Sequence, residues 1–464
     1  MTAYLFPKRA FSECGEEYPN LLRDQTLQIG LAEAHTTRFD ANESVILDFG
    51  EELSGGIRIL TFHGKNVPVR IRFGESLGEA CSELGGRQNA TNDHSLRDFS
   101  VLLQDYSDMT FGQTGFRFVR LDFMAPIQIK CITAAAQLPD REPVYIYRGA
   151  DARIQQIYEC AKRTVDLCVS CGYVWDGIKR DRLVWIGDMA PEVLALTTLY
   201  GSMPEIERSL DFVRDQTPLP GWMNGYPMYS MWWIVTLQIY LERTGAKSFV
   251  QQQIPYLSDL VRQMDACVLD TGELNYPSYF VDWPTSGHPE VVDGARAINI
   301  LAAKAAISLL NTFGECTAEA QRLLEKLLKK DIDARGNKKV LGLKHFATGL
   351  SADEQAALVQ GGAAGMSTFM SYYILKAVAS FDRNAAVAMM KEYYGAMLDK
   401  GATTFWEDFD MNWVEGSGRI DAFTNEGEKD IHGDYGAYCY IGYRHSLCHG
   451  WSAGVIAFMQ EENL

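Results

Sequence analysis

The densest run of chemistry-bearing side chains is Trp175-Asp-Gly-Ile-Lys-Arg-Asp-Arg-Leu-Val-Trp-Ile-Gly-Asp188. It sets three carboxylates (Asp176, Asp181, Asp188) and three cations (Lys179, Arg180, Arg182) between two indoles, Trp175 and Trp185. A mixed charge run is ordinarily a solvated surface laced with ion pairs. Here the interleaved tryptophans, with Gly177 and Gly187 breaking any helix, argue for a functional loop. Indole faces stack on the apolar faces of sugar rings, while carboxylates and guanidinium groups hydrogen-bond hydroxyls. A second run, Gly401-Ala-Thr-Thr-Phe-Trp-Glu-Asp-Phe-Asp-Met-Asn-Trp413, places Glu407, Asp408 and Asp410 among Phe405, Trp406, Phe409 and Trp413. A carboxyl group against aromatic walls has its pKa raised, which suits acid/base work. The plainer reading is a core loop whose acids point outward.

Two shorter runs complete the set. Phe280-Val-Asp-Trp-Pro284 follows Tyr276 and Tyr279, and Tyr443-Arg-His-Ser-Leu-Cys-His-Gly-Trp451 closes the chain. His445 and His449 have the i, i+4 spacing of a metal pair on a helix, but no Glu makes the run His-Glu-x-x-His and no third ligand is evident. A hydrogen-bonding His in a pocket fits better, and no metal or cofactor is expected. Cys168-x-x-Cys171 is half of a zinc or redox motif without a partner pair, and reads as ordinary buried thiols. No Gly-rich phosphate loop is present, and Glu415-Gly-Ser-Gly418 lacks nucleophile-elbow spacing. Paired carboxylates with aromatic platforms remain. That combination suits glycosidic bond cleavage, in which one acid protonates the leaving oxygen and a second carboxylate attacks the sugar or activates water.

The elements that must position these loops change character near residue 145. Before it, Ser44–Phe49, Gly56–Phe62, Val67–Phe73, Gly115–Phe123 and Ile127–Ile132 alternate with period two between Gly, Asn and Pro, which predicts the strands of an antiparallel β-sandwich. After residue 150 the period becomes helical, beginning with Ile154, Ile157, Tyr158, Ala161, Val165 and Cys168 on one face. Further helices are expected at about 191–200, 204–215, 228–244, 248–269, 293–313, 317–333, 365–381, 384–399 and 446–460. Stacked helical hairpins of this number form a bundle, a solenoid or a closed toroid, and periodicity does not choose among them. Two domains, 1–145 and 146–464, also suit a chain of 464 residues.

Charge narrows the partners. A net charge of -17 without a basic stripe makes nucleic acid and anionic membranes poor partners, whereas a small neutral glycoside or oligosaccharide is compatible. The first residues carry no apolar run like a signal peptide, and no run is long enough to span a membrane, so the cytoplasm is the expected location. Oligomeric state is not legible.

The segment 176–188 resembles the signature of the bacterial α-L-rhamnosidases of glycoside hydrolase family 78: Asp, a few residues, Arg, an acid, then Arg-Leu-x-Trp-x-Gly-Asp. Gly401-Ala-Thr-Thr-Phe-Trp-Glu407 resembles that family's second motif, in the right order downstream. Asp282-Trp283, His449, and the β-region segments Thr91–Phe99 and Gly115–Arg120 also have counterparts, so the resemblance covers nearly the whole chain. It implies an N-terminal antiparallel β-sandwich followed by an (α/α)6 barrel, and an inverting exo-hydrolase releasing terminal α-L-rhamnose or a related deoxysugar. Asp181 matches the general acid and Glu407 the general base. Asp176, Arg180, Trp185, Asp188, Trp283 and His449 match sugar-contacting positions, and Trp406 is expected beside them in the pocket wall.

The sequence departs from the family pattern at several places. Asp181 stands where many members carry the longer Glu, Val184 replaces a common Gly and Ile186 a common Thr. The chain also ends soon after its last expected helix, a short form without the family's C-terminal β-domain. Two other classes remain open: a carbohydrate-binding protein with a degenerate site, and a polysaccharide lyase. The lyase would need cations facing a uronate where this sequence offers mainly acids. In the β-region, Asp93, His94 and Arg97 read as a structural turn.

Overall fold

The computed structural model describes residues 2–464. Eight antiparallel strands come first: Thr2–Leu5 (β1), Arg9–Phe11 (β2), Thr37–Phe39 (β3), Ser44–His63 (β4), Val67–Gly74 (β5), Asp98–Leu103 (β6), Ser107–Phe123 (β7) and Ile127–Gln137 (β8). They form one hydrogen-bonded sheet in the order β1-β8-β4-β7-β5-β6, with β2 added on β4 and β3 on β8. The two runs read separately at 44–49 and 56–62 are one 20-residue strand, whose pairing with β7 shifts register after Asp48 and after Gly55. Alternation does the sorting. In β5, Val69, Ile71 and Phe73 enter the core, while Arg70 and Arg72 point away and pair with Asp98 and Asp122. The short helix Leu77–Cys81 (α1) interrupts the strands after β5.

The rest is helical: Ala152–Cys168 (α2), Met189–Tyr200 (α3), Pro204–Asp215 (α4), Pro227–Thr244 (α5), Lys247–Ala266 (α6), Glu290–Thr312 (α7), Ala318–Leu327 (α8), Lys338–Thr348 (α9), Ala352–Val359 (α10), Ser371–Ala379 (α11), Arg383–Asp399 (α12) and Val455–Glu461 (α13). Their packing has a simple order. Helix α3 contacts α5, α5 contacts α7, α7 contacts α9, α9 contacts α11, α11 contacts α13, and α13 returns to α3. Six helices therefore close a ring, and α2, α6, α8, α10 and α12 pack outside it on their chain neighbours. The ring helices show why: α5 buries most of its length, and α7 carries Ala295, Ala297, Ala302, Ala303, Ala305 and Ala306 on buried positions, which lets neighbours approach closely. No helix among the described residues is long and apolar enough to cross a membrane.

Three expectations need correction. The helix expected at 317–333 stops at Leu327. Helices α9 and α10, capped by Asn337 and by the Ser351/Glu354 capping box, had no strong apolar period to announce them. The helix expected at 446–460 is a 3-10 turn, Gly450–Gly454, leading into α13, so His445 and His449 do not share a helix face. His449 is extended, at φ -134°, and forms an antiparallel bridge with Gly177.

The β-unit and the helical ring are joined by buried polar contacts. Arg117 of β7 donates to both Asp48 carboxylate oxygens (2.9 and 3.2 Å), to the Gly401 carbonyl (3.2 Å) and to Asp421 (3.3 Å). Asp48 is almost wholly buried, so removing the guanidinium leaves its carboxylate with only the Arg9 cation, 3.8 Å away. Arg117→Met is expected to cost about 3–5 kcal/mol. Thermal melts should show one transition at a lower temperature, and Asp48→Asn in the same chain should recover part of the loss.

Candidate active site

Three loops lie side by side at one end of the ring. A two-residue hairpin, Val169–Ser170 with Tyr173–Val174, follows α2 and launches the first motif. That motif folds back on itself: the Asp176 amide donates to the Leu183 carbonyl, and the Asp176 carboxylate accepts from the amides of Asp181 and Leu183, both at 2.9 Å. Gly450 N donates to Asp176 O (2.7 Å), His449 N to Phe405 O (3.1 Å) and Glu407 N to Ser446 O (2.9 Å). Backbone thus stitches 176–188, 405–408 and 445–450 together. Gly177 is required at this seam, because a Cβ there would stand 2.8 Å from Arg180 O and 3.0 Å from Cys448 O.

The centre is Arg180. Its Nη1 donates to Asp181 Oδ1 (2.8 Å), its Nη2 to both oxygens of Glu407 (2.7 and 2.8 Å), and its Nε to the Arg444 carbonyl (2.8 Å). Residues 226 positions apart in sequence are therefore held by one guanidinium. Glu407 also accepts from Ser446 N at 3.0 Å. Trp185 Nε1 donates to Asp181 Oδ2 at 3.1 Å. His449 Nε2 stands 3.7 Å from Glu407 and 3.8 Å from both Asp176 and Asp188, and Tyr229 donates to Asp188.

Burial sets the charges. It raises Asp176 to about 7, helped by neighbouring Asp181, and pushes Asp188 and Glu192 well up. Glu407 is raised by burial against the opposing pull of Arg180. Burial disfavours the Arg180 cation too, but Glu407 and Asp181 outweigh it and keep the group charged. His449 is driven well below its ordinary range by burial and by Arg180, so it is a neutral imidazole here. Asp408, facing Asp282, rises to about 7.

Most residues singled out by sequence converge here: Asp176, Arg180, Asp181, Trp185, Asp188, Glu407 and His449 touch one another directly or through one neighbour. Trp283 is half-buried at the far end of an aromatic wall. Trp185 meets Tyr226 and Tyr229, Tyr226 meets Phe280, Phe280 meets Trp283, and Trp283 stacks on Tyr438 at 5.9 Å. Trp406 departs from expectation. It is fully buried, edge-on to Phe409, and packs into the hydrophobic core of the helical unit, so no part of it reaches solvent. The Cys168/Cys171 pair is also split, with Cys168 buried and Cys171 exposed.

Sequence reasoning passed over a second buried cluster behind the first. Glu75, Glu79 and His432 have the composition of a cation site. The Lys179 ammonium already stands among them, 2.9 Å from Glu79 and 3.4 Å from Glu75, and it donates to the carbonyls of Tyr443 (2.5 Å) and His445 (2.7 Å). Glu75 in turn accepts from Ser446 Oγ (3.2 Å) and Leu447 N (2.6 Å), so the β-unit grips the very loop that holds Glu407. The interleaving of Lys179 with the motif was the available signal. Its partners lie about 100 and 250 positions away and carry no local pattern.

A cavity of about 490 Å³ opens beside Asp408, lined also by Lys339, Trp413, Tyr435, Tyr438 and Tyr440. A larger cleft, about 860 Å³, runs along α2 past Arg153, Lys162, Arg163 and Asp399, and shares none of the candidate site residues.

Compared by sequence, the chain matches no family model and no curated protein. Compared by structure, it is similar to a rhamnosidase from Klebsiella oxytoca with rhamnose bound, at a TM-score of 0.74 and 19% identity over 92% of this chain and 89% of that one. It is similar to a GH78 family rhamnosidase of Bacillus sp. GL1, at 0.71 and 19% over 96% of this chain and 48% of that one. It is also similar to Streptomyces avermitilis α-L-rhamnosidase complexed with L-rhamnose, at 0.65 and 14% over 93% and 44%. At such identities the likeness is one of fold. The chain spans most of the first relative and about half of the other two.

The carboxyls raised by burial make a stability prediction. An acid whose folded pKa lies above its unfolded value binds more protons when folded, so it costs stability progressively as pH rises from about 4 through 7. Asp408 accepts one amide bond, from Phe409, which an amide side chain can also accept. Asp408→Asn is therefore expected to raise stability at pH 8 by about 1–3 kcal/mol and to change it little near pH 4. Melting curves at both pH values check this, and an equal gain at each would contradict it.

Proposed function

We propose that the chain is an inverting exo-glycoside hydrolase that releases terminal α-L-rhamnose, or a related deoxysugar, from small glycosides or oligosaccharides. In this reading residues 1–145 are a β-sandwich and 146–464 an (α/α)6 barrel, for which the closed ring α3-α5-α7-α9-α11-α13 is the support. The observation that carries the functional reading is the pair Asp181 and Glu407 on the two arms of Arg180, beside an aromatic wall, in a fold like that of rhamnose-binding rhamnosidases.

Asp181 is the general acid and Glu407 the general base. Asp181 transfers its proton to the glycosidic oxygen as the bond to the anomeric carbon breaks. A water oxygen bonds to that carbon from the opposite face, and its proton passes to Glu407. Hydrogen bonds of 2.8 and 2.7 Å to one planar guanidinium hold the two carboxylates in one site, and inversion is the outcome that the family resemblance implies. Arg180, Asp176, Asp188 and the neutral His449 supply hydroxyl partners, and Trp185 and Trp283 supply apolar ring faces. The cluster of acids also favours a sugar ring that gains positive charge in the transition state. It disfavours a uronate, against the lyase alternative.

Hydrolysis of an aryl α-L-rhamnoside, followed by NMR, should show the β-anomer first. Asp181→Asn and Glu407→Gln should each lower kcat by about 10²–10⁴-fold on a phenyl-type leaving group, with circular dichroism unchanged. Initial release of the α-anomer, or undiminished turnover in either variant, overturns the assignment.

A further inference from the structure

The residue that completes Asp181 comes from the β-unit. His94 Nε2 lies 3.1 Å from Asp181 Oδ1, although the segment Asp93–Arg97 reads in sequence as a simple turn. The loop is built to hold it there. His94 has φ +64°, in the left-handed region that few residues other than glycine adopt without a local reason. Asn92 Oδ1 accepts from the amides of Arg97 (2.9 Å) and Asp98 (3.0 Å), and Thr91 Oγ1 accepts from Asp93 N (3.0 Å). On the far side, Asp93 pairs with Arg444 at 2.7 Å, and Ser95 Oγ donates to the Lys179 carbonyl at 3.3 Å. The loop is thus anchored on the β-unit, on the first motif and on the last loop, with the imidazole between those anchors. The charged groups around it are Asp93 on its own loop, Arg180 and Asp181 from the first motif, and Arg444 from the last loop.

The other two side chains on the Asp181 carboxyl have fixed roles. Arg180 and the Trp185 indole only donate; neither can accept a proton or give one up. An imidazole nitrogen can do either. Asp181 must face the leaving oxygen, and it must regain a proton after each turnover.

We propose that His94 is the positioning partner of the general acid: it fixes the Asp181 carboxyl toward the leaving group and returns its proton. This rests on Asp181 being the acid. When the glycosidic bond breaks, the Asp181 proton goes to the leaving oxygen. The resulting carboxylate takes a proton from the His94 imidazolium, and His94, about one-third exposed, takes its own from solvent. The proton that water gave to Glu407 returns to solvent, so each turnover consumes one water and no net proton. The β-unit is then part of the catalytic apparatus as well as a support for it.

The test uses the full chain and a series of aryl α-L-rhamnosides, from phenyl, which needs a protonated leaving oxygen, to 2,4-dinitrophenyl, which does not. His94→Asn keeps a residue that tolerates the left-handed backbone but cannot reach Asp181. Its kcat/KM is expected to fall about 10²-fold on the phenyl substrate and only a few-fold on the dinitrophenyl one, steepening the leaving-group dependence. His94→Gln, which keeps a donor at similar reach, should restore part of the loss, and both variants should melt like wild type. A uniform loss across the series, or no loss at all, overturns the role of His94 while leaving the hydrolase reading intact. A wild-type protein inert toward the whole series overturns that reading, and the inference with it.

Discussion

Everything in the site hangs on one buried cation. Arg180 spends all three of its nitrogens on other groups: its neighbour Asp181, the distant Glu407, and the carbonyl of Arg444 in the last loop. A planar guanidinium offers donors in a fixed fork, so it sets the relative position of two carboxylates as well as their charge. A lysine would offer a compact ammonium without that planar fork. Four carboxyls, Asp176, Asp188, Glu192 and Glu407, are buried nearby and lifted by burial, and Arg180 is what makes it affordable for Glu407 to ionise among them. Loss of this cation would leave paired carboxylates unshielded in a dry cavity, a much larger penalty than the loss of a surface ion pair.

The β-unit belongs to the same construction. Its Glu75 holds Ser446 and Leu447, and the Ser446 amide holds Glu407. Its Glu79 pairs with Arg97 and with Lys179, the residue next to Arg180. The backbone of β7 also reaches across, Gly115 N donating to Ile178 O at 3.0 Å, where a Cβ would press on the Lys179 amide. Orientation of the two motifs therefore depends on contacts made outside the helical ring, and a ring without its β-unit would keep the candidate site side chains but lose what aims them.

What could be read from sequence follows from this geometry. Asp176, Arg180, Asp181 and Trp185 are local to one another, so their types and spacing announced a site. Glu407 and His449 were legible by their aromatic surroundings, but their joining was not, because a fold brings them together and no pattern records it. Strand and helix periods were visible in the long elements, but the short strands β1, β2, β3 and β6 and the helices α9 and α10 gave no clear period. The helical period misled at 446–460, where apolar residues at helical spacing fill an irregular seam: the His449 backbone bridges Gly177, and tertiary hydrogen bonds there replace helical ones. Trp406 misled for a related reason. An aromatic beside a catalytic acid can face the cleft or the core, and composition does not distinguish them. His94 was read only as part of a structural turn, because its place 3.1 Å from Asp181 is a tertiary contact that no local pattern records.

The same physics explains why the site accumulates acids rather than avoiding them. Each buried carboxyl costs stability near neutral pH, and Glu192 carries two oxygens with no hydrogen-bond partner. A structural core would not retain such groups where apolar ones would fit. For the hydrolase proposed above they would be a gain, because preplaced anions in a buried site act strongly on positive charge that develops on a sugar ring.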